Sequence, residues 1–202
     1  MAAQTVGGSD PAAKKILDAV SAKFKTYKTV KASFTYKVEN AASKILSTKT
    51  GTIYMKGVKY RVSILGQEIF CDGVNVWTYD KAANEVSVTK FDTESNTLTP
   101  QKLFTNFYDA DFLYKLNGEK KQGIKIIQEI EMSPIDKSKP FHKVYIYIDK
   151  VGKTLNATKV LEKSGSRYIY SITTLTANPV LPESQFVFEV KKYPGVEVVD
   201  LR

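Results

Sequence analysis

The spacing of apolar residues changes period once, near residue 28, and that change limits what the chain can become. Before it, Ala13, Ile16, Leu17, Val20, Phe24 and Tyr27 recur mainly at steps of three and four. This spacing predicts one amphipathic helix over about 11–27, with lysines 14, 15, 23 and 25 on its wet side. Asp10-Pro11 opens it, with a side-chain acceptor at the N-cap and proline at the first helical position. After it, Ala32, Phe34, Tyr36 and Val38 alternate with Ser33, Thr35, Lys37 and Glu39, the period of a half-buried strand.

Short alternating segments follow at 45–56, 58–65, 67–71, 74–79 and 85–91, separated by Gly57, Gly66, Asp72-Gly73 and Lys81-Ala82-Ala83-Asn84. Such spacing describes an antiparallel meander. Thr99-Pro100 gives a second cap-plus-proline signal, and Leu103, Phe104, Phe107 and Tyr108 then fall at helical spacing. Strands resume at about 112–117, 124–132, 142–149, 154–163, 167–176 and 185–190, with a last extended piece at 196–200. About a dozen antiparallel strands must curl into a barrel, a half-barrel or two packed sheets, because so wide a flat sheet is unusual. With no repeat or low-complexity linker, residues 10–202 read as a single domain after a small, polar lead-in at 1–9. The lead-in fits either the stub of a removed secretory signal or a plain disordered terminus.

Several chemistries are excluded by residue supply. One cysteine, Cys71, and one histidine, His142, rule out internal disulfides, multi-cysteine metal sites and two-histidine schemes. No metal site and no cofactor are expected, and no Walker, GxGxxG or GxSxG pattern occurs. Glu129 and Glu131 share a strand face and could pair as acid and base, but the same alternation describes a solvated edge. No catalytic residue is assigned, and the chain reads as a non-enzyme. Thirty basic residues against twenty-one acidic leave a net charge of +9, which favours anionic surfaces. The lysines are single and interleaved with apolar residues, and the segment 56–62 lacks the paired aromatics of an RNA-binding sheet, so no nucleic-acid partner is expected.

Two strands are apolar on both faces: Val144, Ile146 and Ile148 alternate with Tyr145 and Tyr147, and 168–172 behaves similarly. One-sided sheets alternate apolar with polar. These strands need cover on both sides, from a helix, a second sheet or a greasy ligand, unless the tyrosines simply lie flat at the rim. A β container with an apolar inner surface binds rather than reacts.

Five stretches, in order, carry a resemblance. They are Val30-Lys31-Ala32-Ser33-Phe34-Thr35-Tyr36 after the first helix; Gly51-Thr52-Ile53-Tyr54-Met55-Lys56; Lys59-Tyr60-Arg61-Val62; Asp72-Gly73-Val74-Asn75-Val76-Trp77-Thr78-Tyr79-Asp80; and the close Phe186-x-Phe188 with Pro194-Gly195-Val196-Glu197-Val198. The chain resembles the periplasmic outer-membrane lipoprotein carrier family (LolA-like). The resemblance implies an incomplete, strongly curved antiparallel β-barrel of about 11 strands, with a helical lid over an apolar cavity. It also implies a monomeric periplasmic carrier that takes lipoprotein acyl chains from an inner-membrane releasing transporter and delivers them to an outer-membrane acceptor. No covalent step is involved. On that basis the expected cavity wall is Phe34, Tyr36, Ile53, Met55, Tyr60, Val62, Trp77, Ile146 and Ile148, with Leu103, Phe104 and Phe107 on the lid. The alternative on the same fold is binding or sensing of another lipid or amphiphile. No cysteine precedes Cys71, which favours the carrier over a lipidated acceptor. Many members of that family carry Arg-Pro after the G-x-L-x-x-K strand, where the arginine hydrogen-bonds the lid and holds it shut. Here Gly57-Val58 stands there, and the nearest cations, Lys56 and Lys59, lack arginine's planar fork.

Overall fold

The computed structural model describes residues 9–92 and 111–202. Helix α1 (Pro11–Lys25) is followed by β1 (Thr29–Glu39), β2 (Ile45–Lys56), β3 (Lys59–Ile64), β4 (Gln67–Cys71), β5 (Asn75–Asp80) and β6 (Glu85–Lys90). Then come β7 (Phe112–Gln122), β8 (Lys125–Pro134), β9 (Phe141–Asp149), β10 (Thr154–Glu162), β11 (Arg167–Ala177) and β12 (Glu197–Asp200). The strands hydrogen-bond in the order β12-β6-β5-β4-β3-β2-β1-β11-β10-β9-β8-β7. This order has two ends, so the expected mainly β, unclosed sheet with a preceding helix is what the chain forms. The short helix expected near 100–108 lies outside the described residues.

Two expectations are corrected. Residues 185–190 are not a strand: they run from the end of one 3-10 turn, Glu183–Phe186, to the start of another, Val190–Lys192. The alternation of Phe186 and Phe188 that suggested a strand instead drives both rings into a core. The last strand, β12, pairs with β6 in parallel, Val198 opposite Val86, not antiparallel. A parallel partner cannot follow through a tight hairpin: residues 91–196 separate β6 from β12, and 178–196 lead from β11 into β12.

Contacts gather into two compact units, each built from interleaved stretches of chain. The first comprises residues 1–26, 35–48 and 102–172; the second, 27–34, 49–101 and 173–202. Because neither unit is continuous in sequence, no linker marks a boundary.

In the first unit, Asp10 caps α1, accepting from the Ala12 N–H at 2.8 Å. It also accepts from the Leu116 N–H at 3.0 Å and donates its own N–H to the Tyr114 carbonyl at 2.9 Å. The Leu116 N–H, outweighing desolvation, holds the Asp10 carboxyl below its usual range. One residue thus starts the helix and fastens it to β7. The helix buries Ala13 and Leu17 and touches β7 and β10.

In the second unit, Phe70, Tyr79, Val86 and Phe188 form a buried cluster, with Trp77, Tyr193 and Val196 against it. The Asp72-Gly73 pair makes the tight β4–β5 turn that the sequence predicts. The Asp72 carboxylate accepts from the N–H groups of Val74 and Asn75, both at 2.8 Å, and Gly73 has φ +93°. Gly73→Val is expected to cost about 2 kcal/mol in chemical denaturation, because a β-branched residue is strained at that φ. A Cβ there would also meet Val58 Cγ2 at 3.0 Å. Unchanged stability would show that the turn has another conformation.

Candidate functional site

In the second unit, hairpin register stacks two rows on one sheet face. Ile53, Val62 and Ile69 lie opposite one another on β2, β3 and β4, and the next row is Met55, Tyr60 and Cys71, extended by Val76 on β5. Toward β6 the rows turn polar, through Thr78 to Ser87 and through Val76 to Thr89. Between β2 and β4 this face carries no charged side chain at the paired positions from Gly51 to Met55. Phe34 joins it: a Cβ on Gly51 would lie 2.5 Å from Phe34 Cζ, so the ring occupies the space the glycine leaves. Ile53, Met55, Tyr60 and Cys71 are buried, whereas Phe34, Val62 and Ile69 are half-buried. Desolvation pushes the Tyr60 hydroxyl up to about 12, reinforced by the neighbouring Cys71 thiol, and desolvation raises Cys71 as well. Both groups therefore stay neutral, as an apolar surface requires.

Trp77 stands on the opposite face, paired across to Phe70 and Val88. It packs on the Phe70–Tyr79–Val86–Phe188 cluster rather than with Ile53 and Val62. There the C-terminal segment is clasped. Phe188 meets Phe70 edge-on at 5.6 Å between centroids and stacks on Tyr193 at 4.2 Å. Glu183 takes ammonium groups from both Lys56 and Lys59, the latter at 2.7 Å. These two contacts, Lys56 first, pull the Glu183 carboxyl down to about 2. The two lysines nearest the missing Arg-Pro are thus engaged with the C-terminal segment. Beside them Glu68 bridges Arg61 at 2.6 Å and Lys81 at 2.8 Å. Desolvation raises its pKa, but the hydrogen bonds from Lys81 and Arg61 outweigh that and leave it lowered.

In the first unit, the register aligns Leu116, Ile130, Ile146, Thr158 and Tyr170 across β7 to β11, and Tyr114, Met132, Val144, Val160 and Tyr168 beside them. Ile146 and Ile148 are buried, as are Ile130 and Met132. Tyr36 stands over the end of these rows, its ring 4.8 Å from Tyr170 and 6.1 Å from Tyr168. Desolvation, then the adjacent Tyr36 and Tyr168, push Tyr170 up to about 12, although 37% of the residue remains exposed. The Thr158 hydroxyl is buried without a hydrogen-bond partner among the described residues.

The alternate tyrosines of β9 face the other way, and their cover is cationic. Lys143 lies 5.9 Å from the Tyr145 ring centroid and Lys120 lies 5.1 Å from that of Tyr147. The same lysines pair with Glu131 and Glu129, and Asn117 donates to both carboxylates. Those two glutamates are therefore committed to ion pairs, and His142 is exposed.

Of the residues singled out from sequence, Phe34, Ile53, Met55, Tyr60 and Val62 share one face of the second unit. Tyr36, Ile146 and Ile148 belong to the first, and Trp77 is on the opposite face of the second. Leu103, Phe104 and Phe107 lie outside the described residues. Ile64, Ile69, Cys71 and Val76 also fall on the face of Ile53 and Val62. The three short hairpins, read as consecutive antiparallel pairs, hold the signal that finds them.

Comparison with known proteins agrees with this architecture. A family model described as outer membrane lipoprotein carrier protein LolA matches residues 25–189. A protein of Cupriavidus necator named outer-membrane lipoprotein carrier protein is 27% identical over 168 residues, 81% of this chain and 76% of that protein. One of the same name from Cupriavidus pinatubonensis is 28% identical over 134 residues; the match covers 66% of this chain but 59% of that protein. Among solved structures, an uncharacterized conserved protein from Thermus thermophilus matches with a TM-score of 0.61 at 16% identity, over 94% of this chain and 99% of that one. LprF from Mycobacterium bovis matches with a TM-score of 0.51 at 10% identity, covering 87% and 98%.

Proposed function

Because this chain belongs to the family of the outer membrane lipoprotein carrier protein LolA, we propose that it is a periplasmic carrier for lipoprotein acyl chains. It would accept cargo from a releasing transporter in the inner membrane and surrender it to an acceptor at the outer membrane. The observation that carries this reading is the charge-free face of Phe34, Ile53, Met55, Tyr60 and Val62 in the second unit. It offers hydrocarbon and neutral groups, the Tyr60 hydroxyl and Cys71 thiol being held uncharged by desolvation. Among the described residues no helix is long and apolar enough to cross a membrane.

Energetics set the requirement. Each CH₂ removed from water is worth about 0.8 kcal/mol, so one long acyl chain carries on the order of 10 kcal/mol. A carrier must cover that surface and still release it, which suits contacts that are apolar and non-directional. Tyr36, Ile146 and Ile148 lie in the first unit and are proposed as an acyl-chain surface of that unit by itself. No cofactor enters the scheme.

The test is what the protein carries and moves. Added to inner-membrane vesicles supplied with ATP, it should release a triacylated lipoprotein into the supernatant as a stable complex. Native mass spectrometry of that complex should show a lipoprotein adduct. A free lipid adduct, with no lipoprotein released, would favour the amphiphile-binding alternative and overturn the carrier reading.

A further inference from the structure

Two neighbouring turns of the first unit put aliphatic side chains where nothing in the fold calls for them. The β7–β8 hairpin closes through Gly123, at φ +60°, and Ile124, between the paired residues Gln122 and Lys125. Ile124 is 99% exposed. Hairpin turns are ordinarily filled by Gly, Asn, Asp or Ser, and a fully solvated isoleucine contributes nothing to folding. The β9–β10 turn repeats the pattern with Val151, 81% exposed.

The two tips are joined. The Lys150 N–H donates to the Ile126 carbonyl at 2.9 Å. Lys150 Nζ reaches Glu119 at 2.7 Å, and Lys125 pairs with Asp149 at 3.4 Å. The Asp149 carboxylate also accepts from the N–H groups of Val151 and Gly152, at 3.1 and 3.0 Å, which fixes the second turn. Lys23, near the end of α1, donates to the Gly152 carbonyl. Backbone and side chains together present Ile124 and Val151 as one built platform.

Its rim is basic. The two tips, 119–125 and 149–153, hold lysines 120, 121, 125, 150 and 153 against the carboxylates Glu119 and Asp149. Lys121 and Lys153 make no ion pair among the described residues. Small β-branched side chains standing singly among ammonium groups suit a surface that is negative outside and apolar a few ångströms in. The apolar area is far below the roughly 1,000 Å² that a stable protein partner needs, whereas single aliphatic side chains inserting between headgroups, helped by lysines, suffice for reversible membrane contact.

We propose that the paired β7–β8 and β9–β10 turns dock this protein reversibly on an anionic lipid bilayer, with Ile124 and Val151 entering the headgroup region and the surrounding lysines meeting lipid phosphates. This surface does not depend on what the protein carries, since none of its residues belongs to the apolar faces described above.

The experiment is co-flotation of the full chain with vesicles of phosphatidylglycerol and phosphatidylethanolamine, against vesicles of phosphatidylcholine alone. Binding is expected to the anionic vesicles and to weaken as salt rises. The exposed pairs Ile124→Ser with Val151→Ser, and Lys121→Glu with Lys153→Glu, should each fold as wild type by circular dichroism. Each pair should lower vesicle affinity by about tenfold or more. Uptake of a fluorescent acyl probe should stay at the wild-type level in both, which separates this surface from the cargo site. Failure of the wild type to float with anionic vesicles, equal binding to phosphatidylcholine, or wild-type affinity in the Ser pair would each overturn the proposal.

Discussion

Val62→Glu is expected to leave the protein folded while lowering its affinity for a fluorescent acyl probe by about a hundredfold. Val62 occupies the middle of the row Ile53–Val62–Ile69 and is only half-buried, so in the empty protein a carboxylate there can reach water. With hydrocarbon laid on this face the same carboxylate loses its hydration. An unpaired buried charge costs several kcal/mol, and about 3 kcal/mol already corresponds to two orders of magnitude in affinity. Neighbouring Met55 and Tyr60 are buried, and acidic replacements there would unfold the chain rather than report on cargo. Circular dichroism and a probe titration decide the matter together: a folded Val62→Glu protein with wild-type uptake removes this face as the acyl-chain surface.

Gly51→Val should destabilise the protein by about 3 kcal/mol, the upper end of what overpacking usually costs. Gly51 has no left-handed backbone requirement; what it provides is space. An added Cβ would stand 2.5 Å from Phe34 Cζ and 2.7 Å from the Ser63 carbonyl oxygen. The phenylalanine ring can swing aside, but the carbonyl belongs to β3 and is held by the ladder. Phe34→Leu in the same chain should therefore restore only part of the loss. Urea denaturation of the single and double variants measures both effects. A stable Gly51→Val protein would mean that Phe34 does not cross this glycine, and Phe34 would leave the proposed binding face with it.

Local chemistry determined much of the molecule before any packing was considered. The period-3.6 stretch behind Asp10-Pro11 became α1 (Pro11–Lys25), and the segment expected at 45–56 is β2 (Ile45–Lys56). Asp72-Gly73 made its turn with Gly73 at positive φ. These outcomes depend on groups a few residues apart, whose geometry the sequence spells out directly. The five family stretches were equally legible, because each is a short string on one or two adjacent elements.

The choice between faces belonged to the tertiary structure. Alternation sorts a strand into two sets, but when both contain large apolar residues it does not say which set looks where. On β5, Val76 and Trp77 are both good core residues. Only the pairing of Trp77 with Phe70, and the arrival of Phe188 from more than a hundred residues later, turned the tryptophan toward the C-terminal clasp. On β9 the tyrosines were compatible with a second apolar layer until Lys120, brought in by β7, and Lys143 covered them. The segment 185–190 alternated like a strand, yet burying Phe186 at the end of one 3-10 turn and Phe188 just before the next prevailed over its period. The parallel pairing of β12 with β6 likewise joins residues more than a hundred positions apart. Period and turn chemistry act over a few residues and so can be read along the chain. Burial depends on which distant segment arrives to exclude water, and that is decided only when the whole chain has folded.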